Sequence, residues 1–577
     1  KSLYCTIEIT LRKIFKEFKM NKLKLAIAAM AMLTIQSAHA GGILTNTNQS
    51  IQFLRNPARD AAIGIDGVYF NPAGVAFLSE GLHLSLNLQN ATQTRSVTGI
   101  FAPFVFGAKN ESTTKTFKGE ANAPVLPTIQ AAYNKDNWSF QFGFGILGGG
   151  GKCIFKNGLH SFESTVAMLP LLSQNLDAIT NKMGLGSLGL PAVDSYDMDT
   201  YMRGRQYYFG FTFGAAYKFN EHWSAYGGLR MLYGNSNYYG YVSNIKARFA
   251  GSNEYVNASE TFLGQSSQAY EAVGRYTAAA QYAAQKGDME GAQAAQAKAQ
   301  EYAVKAAMLG ALGNATQDVR LNCDQTGWGV APILGVDYKV GDFNFAAKYE
   351  FKTRMRLKNK AANSESARNL EILDRWADKE NVPEDSPALL TLGARWSVIP
   401  SLRLNAGWHH YFDKDAHQYK NHQKRLGGNT NEFLFGAEYD VSKMVEVSAG
   451  VQKTNYKMTG DYMEDVSFVV NSYSYGFGFG VHLNKKMTLN VAYFQTNYSD
   501  FTAASNNYND LANLTGTIVK GMATRLGQSD EVAAGAAEEI KNMLTTPVTE
   551  DGKSLLYGKN TFTRTNHVFG LGLNIDF

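Results

Sequence analysis

Two adjacent histidines, His409 and His410, are the residues of this chain best suited by type to acid–base chemistry. They fall in an alternating run, so in a strand their side chains point to opposite faces and cannot act as a dyad. Asp194, Asp197 and Asp199 in DSYDMDT offer the hard oxygens that calcium takes, but the stretch has neither the Gly nor the Glu spacing of an EF-hand loop. A solvated loop without metal is expected there. Gly143 to Gly148 spells G-x-G-x-x-G after a strand, yet glycine continues to Gly151 and no helix opens to aim its N-terminus at a pyrophosphate. A bulge, a bend or a close backbone approach is the expectation, and no nucleotide. Neither a G-x-S-x-G elbow nor H-E-x-x-H occurs, so no enzyme activity and no cofactor are expected. Cys153 and Cys323, at loop-side strand ends, are too few for a cysteine zinc cluster but could form a disulfide in an oxidising compartment.

The elements that would position these residues are strands. The 577 residues include 55 Gly, 31 Tyr and 34 Phe against 12 Pro, a strand-rich and aromatic-rich balance. In the last segment Phe569, Leu571, Leu573, Ile575 and Phe577 share one face, while Asn566, Gly570, Gly572, Asn574 and Asp576 share the other. Strict period-two alternation of this kind is what a wall between lipid and lumen requires. It recurs from Tyr207 to Phe219, Phe343 to Phe351 and Tyr473 to Leu483. Fourteen such segments can be placed, among them 82–97, 125–135, 137–148, 204–219, 222–238, 326–340, 342–357 and 562–577. Short links alternate with long ones, the turn and loop asymmetry of an outer-membrane barrel. The fold class is therefore all-β: a fourteen-stranded antiparallel transmembrane β-barrel. Helical insertions are expected in the extracellular loops at 266–312, broken at Gly287-Asp288, and at 508–545, with Ser529 or Asp530 capping the second helix.

The first forty residues read as a leader. Lys22 and Lys24, an apolar run from Leu25 to Ile35 and Ala38-His39-Ala40 make a secretory signal with cleavage after Ala40, and residues 1–19 precede a natural initiator. Beyond it, Phe53 to Leu78 carries two Asn-Pro-Ala triplets at Asn56-Pro57-Ala58 and Asn71-Pro72-Ala73. Proline fixes φ and biases the preceding Asn out of helical geometry, which makes compact turns. The second triplet, within GVYFNPAGVA from Gly67 to Ala76, resembles the N-terminal hatch of the FadL/TodX outer-membrane transporters for hydrophobic compounds. The terminal Phe577 likewise resembles the signal read by the barrel assembly machinery.

That resemblance implies a hatch at 41–80 plugging a barrel at 81–577, in the bacterial outer membrane. It implies a ligand pocket at Phe53, Leu54, Asn56, Pro57, Tyr69, Phe70, Asn71 and Pro72. It also implies a third strand kinked near Gly143, Gly145, Gly148 and Gly149 to open a lateral exit. Lumen-facing charges of both signs suit a paired structural network. Arg230, Lys348 and Arg354 are candidate cations for the acidic head of a ligand. The expected partners are a hydrophobic, fatty-acid-like small molecule and the lipid and lipopolysaccharide of the outer membrane. The chain is expected to work as a monomer, and its small basic excess gives no support for nucleic acid. The rival functions are a protein secretion shuttle or attachment platform, and a hydrophilic pore.

Overall fold

The computed structural model describes residues 45–109, 112–182, 188–368, 371–465, 468–525 and 529–577; the leader and its cleavage site lie outside them. Fourteen long strands, numbered here in chain order, form the wall. They are β1 Gly81–Phe101, β2 Thr114–Lys135, β3 Trp138–Phe155, β4 Val193–Lys218, β5 Trp223–Phe249, β6 Val319–Val340 and β7 Phe343–Glu350. The other seven are β8 Leu389–Ile399, β9 Leu402–Tyr411, β10 Thr430–Asp440, β11 Val445–Asn455, β12 Ser472–Asn484, β13 Met487–Tyr498 and β14 Gly558–Asp576. Each pairs antiparallel with its chain neighbour, and β14 pairs with β1 from His83↔Asp576 to Phe101↔Gly558, so the sheet closes.

Alternation sets which face each residue takes. Phe213, Phe435, Phe477 and Phe569 are 53–60% exposed on the outside. On the lumen face of β4, β12 and β14, Thr212, Ser474 and Asn566 are buried. A continuous apolar exterior of this kind is stable only against hydrocarbon, and closure leaves the sheet without a terminal edge strand.

The wall is uneven in height. β1 to β6 run 18–27 residues, against 8–13 for β7 to β13. A tilted strand needs about 9–11 residues to cross the hydrocarbon core. The excess explains where the sequence expectation fell short. Once a strand leaves the lipid its two faces no longer differ in the same way, and the alternation that marked it fades. So β2 begins at Thr114 and β4 at Val193, both eleven residues before the apolar pattern. DSYDMDT accordingly sits in β4 rather than in a loop, with Asp197 and Asp199 facing Lys109 Nζ at 3.1 and 3.4 Å.

A short α1, Ile51–Arg55, lies inside the barrel, and helices cap the tall side: α2 His160–Lys182, the hairpin α3 Ala258–Gln285 and α4 Met289–Ala315, then α5 Leu511–Arg525 and α6 Asp530–Thr545. α3 starts eight residues before the expected 266 because Asn257 Oδ1 accepts the Glu260 N–H at 2.9 Å as an N-cap. Ser529 caps α6 through Val532 N. Phe162, Phe262, Leu309, Leu511 and Ile540 meet the upper wall in one apolar core.

The two cysteines that could have formed a disulfide are not bridged. Cys153 and Cys323 are both free and buried. Cys153 registers with Gly204 on β4, Gly204 with Tyr238 on β5, and Tyr238 with Cys323 on β6. The thiols thus stand three strand spacings apart, roughly 14 Å, well beyond the ~7 Å Cα limit for a bridge.

Candidate functional site

Residues 45–80 lie inside the barrel, and the two Asn-Pro-Ala triplets show how. In each, the Asn side chain does two things. Asn71 Oδ1 accepts the Gly74 N–H at 3.1 Å to close a turn, while Nδ2 donates to Asp337 Oδ2 on the wall at 2.6 Å. Asn56 Oδ1 accepts the Ala58 N–H at 3.1 Å, and Nδ2 donates to Glu438 Oε1 at 3.4 Å. The proline holds the turn; the amide moors it.

On either side of the first triplet the mooring is ionic. Arg59 bridges Asp66 at 2.7 Å and Glu438 on β10, and Arg55 reaches Glu446 at 2.8 Å. Burial disfavours the Arg59 charge, but Asp66 and Glu438 outweigh it and hold its pKa above the ordinary guanidinium value. His409 bridges hatch and wall, with Nε2 at 2.9 Å from Asp60 Oδ1 and Nδ1 at 2.8 Å from Glu432 Oε2. His410 turns away from it to Asn431, so the two histidines form no dyad. Wall side chains also take up the hatch carbonyls: Lys348 Nζ donates to Tyr69 O at 2.6 Å, Gln141 to Pro72 O at 2.7 Å and Ser224 Oγ to Ala73 O at 2.7 Å.

The upper side of the hatch is apolar. Phe53 stacks on Phe70 with centroids 5.3 Å apart and leans on Phe494 of β13 at 5.8 Å. Leu54 and Tyr69 join them against Leu147, Tyr208, Leu232 and Leu434 of the wall. Glycines on the lumen face make room. At Gly476 a Cβ would stand 2.0 Å from the Leu54 carbonyl oxygen.

The wall is interrupted between β2 and β3. β2 and β3 pair from Gly119↔Phe155 to Asn122↔Lys152 and again from Ile129↔Phe144 to Lys135↔Trp138, but 123–128 and 145–151 are unpaired with each other. β2 carries Pro124 and Pro127 here, which have no N–H to give a ladder. On β3 the register with β4 slips twice, between Ile146 and Gly148 and between Gly149 and Gly151. Gly149 has φ +69, and a Cβ there would lie 2.1 Å from Gln206 O. Hatch side chains satisfy the carbonyls freed by the slip: Asn46 Nδ2 donates to Gly149 O at 2.8 Å and Gln49 Nε2 to Ile146 O at 3.0 Å. A small cleft lies beside the gap, lined by Gln49, Tyr69, Ile129, Phe144, Leu147 and Gly210.

The structure therefore gathers Phe53, Leu54, Tyr69 and Phe70 into one apolar layer. Asn56, Pro57, Asn71 and Pro72 lie at the moorings, and Gly145, Gly148 and Gly149 along the gap, with Gly143 lining the cleft. Arg230 and Lys348 flank Tyr69, 4.9 and 4.8 Å from its ring centroid, and Arg230 is ion-paired with Glu350. Arg354 is exposed and apart from them. Sequence reasoning missed Pro124, Pro127, Asn46 and Gln49. The two prolines were a legible signal, since an alternating segment containing them cannot donate a full ladder. No group of metal-ligating side chains occurs among the described residues.

A closed barrel with a lipid-facing exterior and a stoppered lumen defines the class: a bacterial outer-membrane β-barrel. Its fold is of the FadL type. It matches the crystal structure of a Pseudomonas aeruginosa FadL homologue with TM-score 0.54 at 12% identity, over 93% of this chain and 100% of that one. The Pseudomonas putida toluene transporter TodX gives TM-score 0.43 at 11% identity, over 89% of this chain and 94% of that one. The Ralstonia pickettii toluene transporter TbuX gives 0.40 at 13%, over 90% and 98%. No protein-family profile and no curated protein sequence matches the chain.

Proposed function

We propose that this barrel carries hydrophobic or amphipathic small molecules, of the long-chain fatty-acid kind, across the outer membrane and releases them sideways through the wall. The observation that carries this reading is the coincidence of three features: the unpaired stretch between β2 and β3, the adjoining cleft, and hatch residues Asn46 and Gln49 bonded to the kinked strand. An apolar solute leaving here enters lipid without crossing a wide aqueous pore. Burying ten methylenes is worth about 8 kcal/mol, enough to draw an acyl chain into the apolar layer around Phe53 and Phe70. Gln49, Val68 and Tyr69 of the hatch line the cleft, so passage requires the hatch 41–80 to shift. Arg230 and Lys348, both engaged around Tyr69, serve in this reading to hold the hatch. The barrel works as a monomer inserted by the assembly machinery, its belt in contact with lipid and lipopolysaccharide.

The test is uptake of radiolabelled hexadecanoate by cells whose only such barrel is this one. Leu126 and Ile146 pack together across the gap. Oxidised Leu126→Cys/Ile146→Cys should lose most uptake and regain it on reduction. Uptake that ignores the cross-link refutes lateral release. A second reading, a platform for protein attachment or secretion, is favoured by the projecting α3–α4 hairpin, whose tip exposes Tyr282 and Met289 by about 60%. It predicts no hexadecanoate uptake above background even in the uncross-linked protein.

A further inference from the structure

Above β7 the chain continues upward through residues 351–361, ending in a short strand, Arg356–Ala361, that pairs with β6 from Cys323↔Ala361 to Thr326↔Lys358. Met355 and Leu357 turn inward to the apolar layer around Phe53 and Phe70, and Asn359 is buried on the same side. Alternation therefore turns Arg354, Arg356, Lys358 and Lys360 outward, and all four are exposed. Arg354 thus faces away from the lumen, where a ligand's acidic head was expected to meet it.

The row of cations starts where the apolar belt ends. Below it is the exposed Phe351, and beside it Trp328 of β6 is 69% exposed. A Cβ on Gly329 or Gly327, the neighbours of Trp328, would stand 2.4 Å from the carbonyl oxygen of Arg354 or Arg356, which fixes the indole next to this pair. Trp328 registers in turn with the exposed Tyr233 on β5. Exposed Trp and Tyr at the end of a lipid-facing run mark the level of the headgroups. Four residues beyond the exposed Phe569, β14 carries instead the neutral Thr565, whose hydroxyl bonds Thr94 of β1 at 2.6 Å. Acids answer only part of the row. Arg356 pairs with the buried Asp385 at 3.0 Å, Lys360 stands opposite Asp324, and Asp378 accepts the adjoining Ala361 N–H at 3.0 Å. Arg354 and Lys358 meet no carboxylate among the described ion pairs. Alternate residues of a strand are about 7 Å apart on one face, so these like charges repel until an anion lies among them.

We infer that Arg354 and Lys358, with Arg356 between them, hold the phosphates of a bisphosphorylated glycolipid of the outer leaflet, the lipid A part of lipopolysaccharide. Its acyl chains lie on the exposed Val330, Leu334, Phe345 and Phe351 just below. Arg354 and Lys358 are about 14 Å apart along a tilted strand, a span that suits a disaccharide with a phosphate at each end and not a single phosphodiester. Chains anchored on the belt keep both phosphates at the level of the row, so the contacts act together. The site gives the lipopolysaccharide contact proposed above a definite place. It does not depend on what the barrel carries, so the uptake reading and this one fail separately.

The test is native mass spectrometry of the mature protein in a non-ionic detergent, titrated with bisphosphorylated lipid A, with the same lipid stripped of both phosphates, and with phosphatidylglycerol. Arg354→Gln/Lys358→Gln should weaken bisphosphorylated lipid A about tenfold or more and change the phosphate-free lipid by less than about threefold. Arg354→Gln alone should weaken it about threefold, and it carries the comparison if the double variant does not fold. Lys485→Gln/Lys486→Gln removes the same charge from the exposed turn between β12 and β13 and should leave lipid A binding within about twofold of wild type. Wild-type protein that binds the two forms of lipid A equally, or variants at Arg354 and Lys358 that lose both forms equally or neither, would overturn the inference. So would an equal loss in the turn variant, or phosphatidylglycerol bound as tightly as bisphosphorylated lipid A.

Discussion

Replacing Arg59 by Gln should loosen the hatch without opening the barrel. Arg59 contacts two carboxylates, but they are not equally dependent on it. Glu438 keeps Arg395 at 3.6 Å and Arg403 at 3.5 Å, whereas the Asp66 side chain, 2% exposed, has no other cation among the described ion pairs. The cost is therefore that of stranding one buried carboxylate, at the low end of the roughly 3–5 kcal/mol seen when a buried pair is broken, or about 3 kcal/mol. The moorings at Asp60, Asn71 and Tyr69 O remain, so the loss falls on local opening of the hatch. At about 1.4 kcal/mol per factor of ten, the open population rises about a hundredfold. The assay is maleimide labelling of Ala62→Cys, a position 1% exposed between Arg59 and Asp66, in protein carrying Cys153→Ala and Cys323→Ala. Labelling should speed up by about that factor, while the heat-dependent gel shift of the folded barrel persists. An unchanged labelling rate in folded Arg59→Gln protein would refute the claim that these ion pairs hold the hatch.

Gly149→Ala should lower thermal stability in detergent by at least about 2 kcal/mol, because the residue has φ +69 and the new Cβ meets Gln206 O. Gly151→Ala, whose Cβ meets nothing nearer than 3.8 Å, should be close to neutral, and similar effects from the two would count against a strained kink. Thiol titration of the mature protein without reductant should find no reactive cysteine while it is folded and two after denaturation. A count of zero after denaturation would mean that Cys153 and Cys323 do pair.

The alternation of Phe569, Leu571 and Phe577 with Gly570, Gly572 and Asp576 was enough to place a spanning strand, because lipid on one side and lumen on the other impose period two on the residues themselves. Repeated fourteen times with alternating link lengths, it gave the barrel, and the Asn-Pro-Ala triplets marked a compact segment ahead of it. Where β2, β4 and β6 rise out of the membrane the constraint lapses, and their upper parts were not legible. The Cys153–Cys323 pairing failed for a related reason: sequence places both thiols at loop-side ends but carries no strand count between them, and only closure of the sheet sets them three strands apart. Side-chain partners were beyond reach in the same way. That Arg230 faces Glu350 depends on which residues, here 120 positions apart, arrive at the same height in the lumen. Local patterning is written by the solvent on each face of a strand; pairing across the bore is decided by register and by how the hatch fills it, and those exist only once the ring is closed.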